Sequence, residues 1–157
     1  MTGTHMQDAV KRINEARELG KAVVDLSDLE IQEIPEELRE LADTLESLYL
    51  CYTKASDISP LANLTKLQEL YLWGTGVSDI SPLANLTSLR VLGFDLTNVS
   101  DISPLANLPN LQAVDLSRGP LVESPANIQA LKKLIKNGCY IEGVEEMLMT
   151  YRMQCAK

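Results

Sequence analysis

The chain repeats itself, and this repeat limits its fold more than any other feature of the sequence. The eight residues Asp-Ile-Ser-Pro-Leu-Ala-Asn-Leu occur at 57–64, 79–86 and 101–108, so each copy begins 22 residues after the one before it. The segments ahead of these copies align as L-x-x-L-x-L with apolar replacements, and a weaker first copy begins at Val24. A period of roughly 20–50 residues is typical of architectures in which stacked units share one continuous core.

The first half of each unit is predicted to be a short strand. Alternate residues of a strand point to opposite faces, so Leu48 and Leu50 are expected to point inward, with Tyr49 and Cys51 pointing outward. One unit cannot bury its apolar residues alone, which means that the units must stack.

The second half of each unit is predicted to be a short 3₁₀ return. Ser59 before Pro60 is a helix-start pair, in which the Ser side chain caps the first turn and Pro supplies a fixed φ. The aspartates that open each return are expected to cap backbone N–H groups, and they are Asp57, Asp79 and Asp101.

A strand and helical return every 22 residues, with L-x-x-L-x-L in the strand segment, resembles the leucine-rich repeat. The Asp-Ile-Ser-Pro-Leu-Ala-Asn-Leu return resembles the 22-residue subtype of internalins and related bacterial proteins. Over about residues 22–120, the resemblance implies an α/β solenoid, a leucine-rich repeat horseshoe segment of about five turns with parallel strands on its concave face and helical N- and C-terminal caps. Where that family usually has Asn at the turn, this chain has Leu29, Thr53, Thr75, Thr97 and Gly119. Since a Thr hydroxyl can replace part of the hydrogen bonding of Asn, we expect a ladder of hydroxyls.

The two ends are predicted to be caps. Residues 7–21 are assigned to an N-terminal capping helix and 121–157 to a C-terminal helical cap with helices at 125–136 and about 141–153. The apolar face of the first helix is expected to contain Val10, Ile13, Ala16 and Leu19. The apolar faces of the other two are expected to contain Ile128, Leu131, Leu134 and Ile135, and then Ile141, Val144, Met147, Leu148 and Tyr151. Residues 1–6 are interpreted as a cloning remnant, which would place the only His outside the native protein.

The ends also resemble those of the leucine-rich repeat domain in bacterial Roco-type proteins. The resemblance lies in Glu-Ala-Arg-Glu-Leu-Gly at 15–20, Val-Asp-Leu-Ser at 24–27, and the exit segments 119–125 and 143–151. In that family a GTPase domain would follow. The sequence contains no G-x-x-x-x-G-K-[ST] phosphate loop.

Aromatic residues are scarce, and four of the seven fall on two adjacent repeats. Aligning the strands places Tyr49, Tyr71 and Trp73 together on the outward face. Because Tyr and Trp are enriched at binding hot spots, we predict a binding surface there. Its predicted residues are Tyr49, Cys51, Tyr52, Tyr71, Trp73, Asp95 and Asp115. Two alternatives remain open: the rings only pack against one another, or they form a homodimer.

Charge and cysteine spacing exclude several classes of function. A net charge of −8 argues against nucleic acid as a partner, and no apolar run approaches the ~18 residues of a membrane helix. The three Cys are far apart and fit no metal-ligand spacing, so we expect reduced thiols, no metal, no cofactor and a cytoplasmic location. Secretion without a standard signal peptide stays open.

The sequence therefore predicts a non-enzymatic interaction module that binds a protein or peptide on its concave face. No catalytic residues are assigned, since Cys51 with neighbouring acids is a poor nucleophile–base set. Two alternatives are kept: a regulatory or self-association domain of a larger Roco-like signalling protein, and a secreted internalin-like effector that binds a host protein.

Overall fold

The protein is built on one sheet of six parallel strands that follow one another in chain order. The computed structural model describes residues 2–144. The strands are β1 (Val23–Asp25), β2 (Ser47–Tyr49), β3 (Glu69–Tyr71), β4 (Val91–Gly93), β5 (Ala113–Asp115) and β6 (Tyr140–Glu142). Helix α1 (Thr2–Glu18) precedes the sheet and α2 (Pro125–Lys136) lies between β5 and β6. The 3₁₀ returns are Glu36–Leu41, Ser59–Leu61, Ser81–Leu83 and Ser103–Asn107.

Neighbouring strands pair without any shift in register. Leu48 pairs with Leu70, Leu70 with Leu92 and Leu92 with Val114, and all four side chains are buried. The returns bury a second apolar row on the opposite side of the solenoid, of which Leu61, Leu83 and Leu105 are members. The core therefore runs the length of the stack between these two rows, as the repeat predicts.

The 3₁₀ returns form as predicted, and the prediction that the aspartates opening them cap backbone N–H groups is confirmed. The Oδ1 atoms of Asp57 and Asp79 accept hydrogen bonds from the backbone N–H of Ser59 and Ser81, each at 2.8 Å, and Asp101 does the same in the next turn. These bonds lower the pKa of Asp57 and of Asp79. The prediction that Ser59 is the cap is wrong, because Ser59 is already the first helical residue and its own N–H is the group that needs an acceptor.

The row of threonine hydroxyls is confirmed. Thr53, Thr75 and Thr97 are buried, and their Oγ1 atoms donate to the carbonyls of Leu50, Leu72 and Phe94 at 2.7–2.9 Å. Each of these bonds closes the turn of its own repeat, between residues three positions apart. The hydroxyls thus satisfy buried carbonyls locally and leave the contact between repeats to the sheet and the core.

Helix α1 covers the N-terminal end of the core. It begins at Thr2, so residues 2–6 continue the predicted helix whatever their origin; Met6 packs against the core, and the backbone N–H of Glu30 donates to Nδ1 of His5 at 2.7 Å. Ala9, Ile13 and Ala16 are buried. Leu19 is 67% exposed, which corrects its predicted place on the apolar face, because the helix ends one residue before it.

Helix α2 covers the other end with the predicted bounds but a rotated face. Leu131 and Leu134 are buried as expected, whereas Ile135 is 44% exposed and Ala130 is buried instead. A short β6 follows, where the sequence predicts the start of another helix at Ile141. The open edge of β5 offers unpaired backbone groups to this segment, which explains why it becomes a strand. The rest of the predicted helix, at 145–153, lies outside the described residues.

Asn127 fixes α2 to the last repeat, and the sequence analysis did not identify it. Its buried side chain accepts a hydrogen bond from the N–H of Ile102 at 2.8 Å and donates to the carbonyls of Ser100 and Val122 at 2.8 and 2.7 Å. One amide thereby satisfies three backbone groups at the end of the stack. In residues 2–144, no helix is both long and apolar enough to cross a membrane.

Replacing a buried hydroxyl tests the role of the threonine row. Thr75→Val keeps the shape of the side chain but removes the 2.7 Å bond to the Leu72 carbonyl, so the free energy of unfolding is expected to fall by about 1 kcal/mol. The matched control is Thr65→Val at an exposed threonine, which should change it by less than about 0.5 kcal/mol. Urea unfolding measures both, and equal effects at the two positions would contradict this role.

Candidate functional site

The outward face of the sheet presents its side chains in straight rows. The third residues of the six strands form one row, which we call the central row. It consists of Asp25, Tyr49, Tyr71, Gly93, Asp115 and Glu142. The row before it consists of Val23, Ser47, Glu69, Val91, Ala113 and Tyr140. The strand alignment that the sequence analysis used to place Tyr49 beside Tyr71 is confirmed, and β6 adds Tyr140 and Glu142 to the two rows.

Three aromatic rings form one cluster on this face, as predicted. The rings of Tyr49 and Tyr71 stack with centroids 4.8 Å apart and planes 12° apart. Trp73 meets Tyr71 edge to face, with centroids at 5.4 Å and planes at 73°. The first distance equals the usual spacing of neighbouring strands, roughly 4.8 Å, so the register alone places the tyrosines in contact. Burial, helped by the charge of Glu69, raises the pKa of Tyr71.

The side chains of Trp73 and Tyr52 each pack on a glycine of the repeat that follows their own. A Cβ atom added to Gly93 would lie 2.2 Å from Nε1 of Trp73, which shows that the indole rests directly on this glycine. A Cβ atom on Gly74 would lie 2.6 Å from Cδ1 of Tyr52, so this ring leans on the following turn in the same way. Each aromatic side chain is therefore held by a neighbour about 20 residues away.

Two of the predicted site residues do not present their polar groups at the surface. Cys51 is only 7% exposed, with the Ser27 side chain and the Trp73 backbone beside its thiol, and burial raises its pKa. Asp95 is also 7% exposed, because Arg118 covers it with a two-point ion pair that includes an Nε–Oδ1 bond of 3.1 Å. Both residues belong to the predicted binding surface, but their burial leaves little of either side chain for a partner to contact. Trp73 is 37% exposed, Tyr52 is exposed, and Tyr49, Tyr71 and Asp115 are half-buried.

A hollow of about 210 Å³ continues the aromatic cluster toward β6. The residues that line it include Tyr71, Trp73, Gly93, Ala113, Asp115, Tyr140 and Glu142. Sequence reasoning missed this hollow because it assigned the segment that includes Tyr140 to the C-terminal helical cap, away from the outward face of the sheet.

A wider depression of about 690 Å³ lies away from the sheet face, beside the first two returns. Its lining mixes Glu33 and Glu36 with Arg39 and Lys54, and Lys54 forms an ion pair with Glu30 at 3.3 Å. A lining with charges of both signs offers little selectivity for either an anion or a cation. Despite its greater size, this depression is the weaker candidate for a binding site.

The in-register strands, the 3₁₀ returns and the capped ends define a leucine-rich repeat solenoid. The fold resembles internalin C2 of Listeria monocytogenes str. 4b F2365, with 38% sequence identity and a TM-score of 0.64 over 71% of this chain and 49% of that one. A second internalin of the same organism matches with 30% identity and a TM-score of 0.68, over 85% of this chain and 42% of that one. A leucine-rich repeat protein of Leptospira interrogans, 23% identical, shares the fold with a TM-score of 0.66 over 80% of this chain and 33% of its own.

The chain is accordingly a leucine-rich repeat protein of the internalin-like type. It spans about half the length of the internalin C2 structure and less of the other two. No protein-family model and no curated protein sequence matches it. The similarity supports a protein-interaction module in general, while the Roco-like character of the ends stays a prediction.

Gly93→Ala tests whether the glycine holds the indole in place. The added methyl group would lie 2.2 Å from Trp73 Nε1, so the ring must move away and become more exposed. Since Trp73 is the only Trp, its fluorescence emission should shift to longer wavelength. The control is Gly76→Ala, where the nearest atom to the new Cβ is 3.4 Å away on Ser56. An emission spectrum unchanged in Gly93→Ala would contradict the contact.

Thiol labelling tests the burial of the cysteines. Burial raises the pKa of Cys139 to about 11 and that of Cys51 above its usual value, so few thiolates form near neutral pH. In a Cys155→Ser background, the folded protein should react with a disulfide reagent at pH 8 at least about 100-fold more slowly than the urea-unfolded protein. Rapid labelling of Cys51 in the folded state would show instead that its thiol is accessible.

Proposed function

We propose that this protein is a non-enzymatic binding module whose concave sheet face binds a protein or peptide. The observation that supports it best is the aromatic cluster of Tyr49, Tyr71 and Trp73, which the core does not require. The aliphatic rows inside the solenoid are complete, and the rings stand on the opposite side of the strands. An indole that remains 37% exposed on this face is a feature that favours a partner.

The geometry of the cluster suits a hot spot. Tyr49 and Tyr71 are fixed by stacking, and Trp73 is fixed between Tyr71 and Gly93. Binding to such rings costs little conformational entropy because they are already ordered before the partner arrives. Their phenol and indole groups also leave hydrogen-bonding atoms at the edge of an apolar surface.

The state of the nucleophilic side chains supports a role without catalysis. Cys51 is buried with a raised pKa, and a reactive thiol needs the opposite, a lowered pKa and access to solvent. Asp95, another residue of the predicted binding surface, is bound by Arg118. Two further points stay predictions: the cytoplasmic location, and the alternative that this chain is a domain of a larger signalling protein.

Trp73→Ala tests the proposal directly. Loss of a central hot-spot residue should weaken binding to the partner captured by the wild type about 30-fold, or about 2 kcal/mol. Leu19→Ala is the control, because Leu19 is exposed on the N-terminal cap away from the sheet face. Affinity is measured by calorimetry after the partner has been identified by a pull-down with both variants.

Two results would contradict the proposal. The first is an unchanged affinity in Trp73→Ala with an intact fold. The second is a mass by size-exclusion light scattering that doubles with concentration in the wild type but not in Trp73→Ala, which would assign the cluster to self-association.

A further inference from the structure

We propose that the hollow beside Trp73 binds one arginine side chain of the partner; this inference rests on the proposed function and names the chemistry that the partner brings. The hollow crosses the sheet from β3 to β6 and continues the aromatic cluster without a break. Its volume of about 210 Å³ is below the roughly 300–1,000 Å³ of sites for small drug-sized molecules, so it suits a single long side chain.

The floor of the hollow is made by missing side-chain volume. Gly93 and Ala113 have the smallest side chains of their rows on β4 and β5. The aromatic side chains of Tyr71 and Trp73 stand on one side, and Tyr140 on β6 stands on the other. Since neighbouring strands are roughly 4.8 Å apart, Tyr71 and Asp115 lie about 10 Å from each other across Gly93 in the central row. The indole of Trp73 covers Gly93 within this space, so the gap that remains is lined by the indole, Asp115 and Tyr140. A flat group can enter such a gap and lie against aromatic rings.

The charge of the hollow is negative. Asp115 and Glu142 are register partners on β5 and β6, and both line it. Oδ1 of Asp115 already accepts the N–H of Ser117 at 2.9 Å, which holds the carboxylate in one orientation. Neither acid belongs to any ion pair formed within residues 2–144, and the guanidinium of the nearby Arg118 is bound to Asp95.

Aromatic walls with two carboxylates match a guanidinium better than an ammonium ion. A guanidinium stacks on aromatic faces and donates forked hydrogen bonds to a carboxylate, whereas an ammonium ion is compact and strongly hydrated. The adjoining Tyr49–Tyr71 stack would then receive an apolar side chain of the same peptide. The partner surface therefore has an arginine next to an apolar residue.

The test uses the indole N–H signal of Trp73, which is the only indole in the protein. The protein is titrated with the blocked peptide acetyl-Gly-Arg-Gly-amide, with the corresponding lysine peptide, and with a citrulline analogue, which has the same shape as the arginine peptide but no charge. The arginine peptide should shift the signal along a saturable curve, the lysine peptide should bind more weakly, and the citrulline peptide should have no saturable effect. Equal binding of arginine and citrulline peptides would overturn the inference.

Charge-removing variants locate the site. Asp115→Asn and Glu142→Gln should each weaken binding of the arginine peptide about 10-fold. Asp25→Asn is the matched control, because Asp25 lies in the same row and accepts the N–H of Ser27 at 2.9 Å, but lies on β1 outside the hollow. Equal losses in all three variants would show only a general charge effect, and no loss in the first two would place the arginine elsewhere; either result overturns the inference.

Measurements of binding to the natural partner distinguish a failure of this inference from a failure of the proposed function. If Trp73→Ala weakens binding of the partner but Asp115→Asn and Glu142→Gln do not, the binding face is right and the arginine site is wrong. If Trp73→Ala has no effect, the proposed function itself fails. Loss of binding in all three variants, with Asp25→Asn unchanged, supports both.

Discussion

The unshifted register between neighbouring strands is the constraint on which the rest of the structure depends. Because Leu48, Leu70 and Leu92 pair directly, any position that recurs every 22 residues forms a straight row through the stack. A shift of one residue would move every buried leucine of a strand to solvent, so the core itself maintains the register. The outward rows then follow without further cost. The same pairing that closes the core brings Tyr49 against Tyr71 and Asp115 against Glu142.

The turn after each strand adds a second link between repeats. Its residues adopt positive φ values of 53–67° at the same position in every repeat, and they are Asp28, Tyr52, Gly74, Leu96 and Arg118. Four of the five are not glycine, although this conformation is costly for other residues. At two of these positions the side chain reaches across to another repeat: Tyr52 lies on Gly74, and Arg118 binds Asp95. The left-handed turn is therefore also the point from which side chains cover neighbouring repeats.

The parts of this structure that could be read from the sequence are those that the repeat contains. The aspartate caps and the hydroxyls of Thr53, Thr75 and Thr97 depend on residues within a few positions of one another, and the strand rows depend on the constant 22-residue spacing. Alternation also gave the direction of Cys51 and Asp95, but not their burial, because Trp73 and Arg118 come from the following repeat. Strand β6 was not predicted for another reason. Its apolar spacing suits a helix equally well, and it forms a strand because the open edge of β5 offers it backbone partners.

Gly93 shows how a departure from the repeat can create a site without adding a functional group. Where the preceding strands have Tyr49 and Tyr71, this strand has no side chain, and two consequences follow from the same absence. The indole of Trp73 gains a surface on which to lie, and the space between the indole and Asp115 becomes part of the hollow. A third tyrosine would continue the stack, displace the indole and fill the gap. The chemistry of this face therefore depends on ending the aromatic row after two strands, so that acidic side chains lie within reach of the rings.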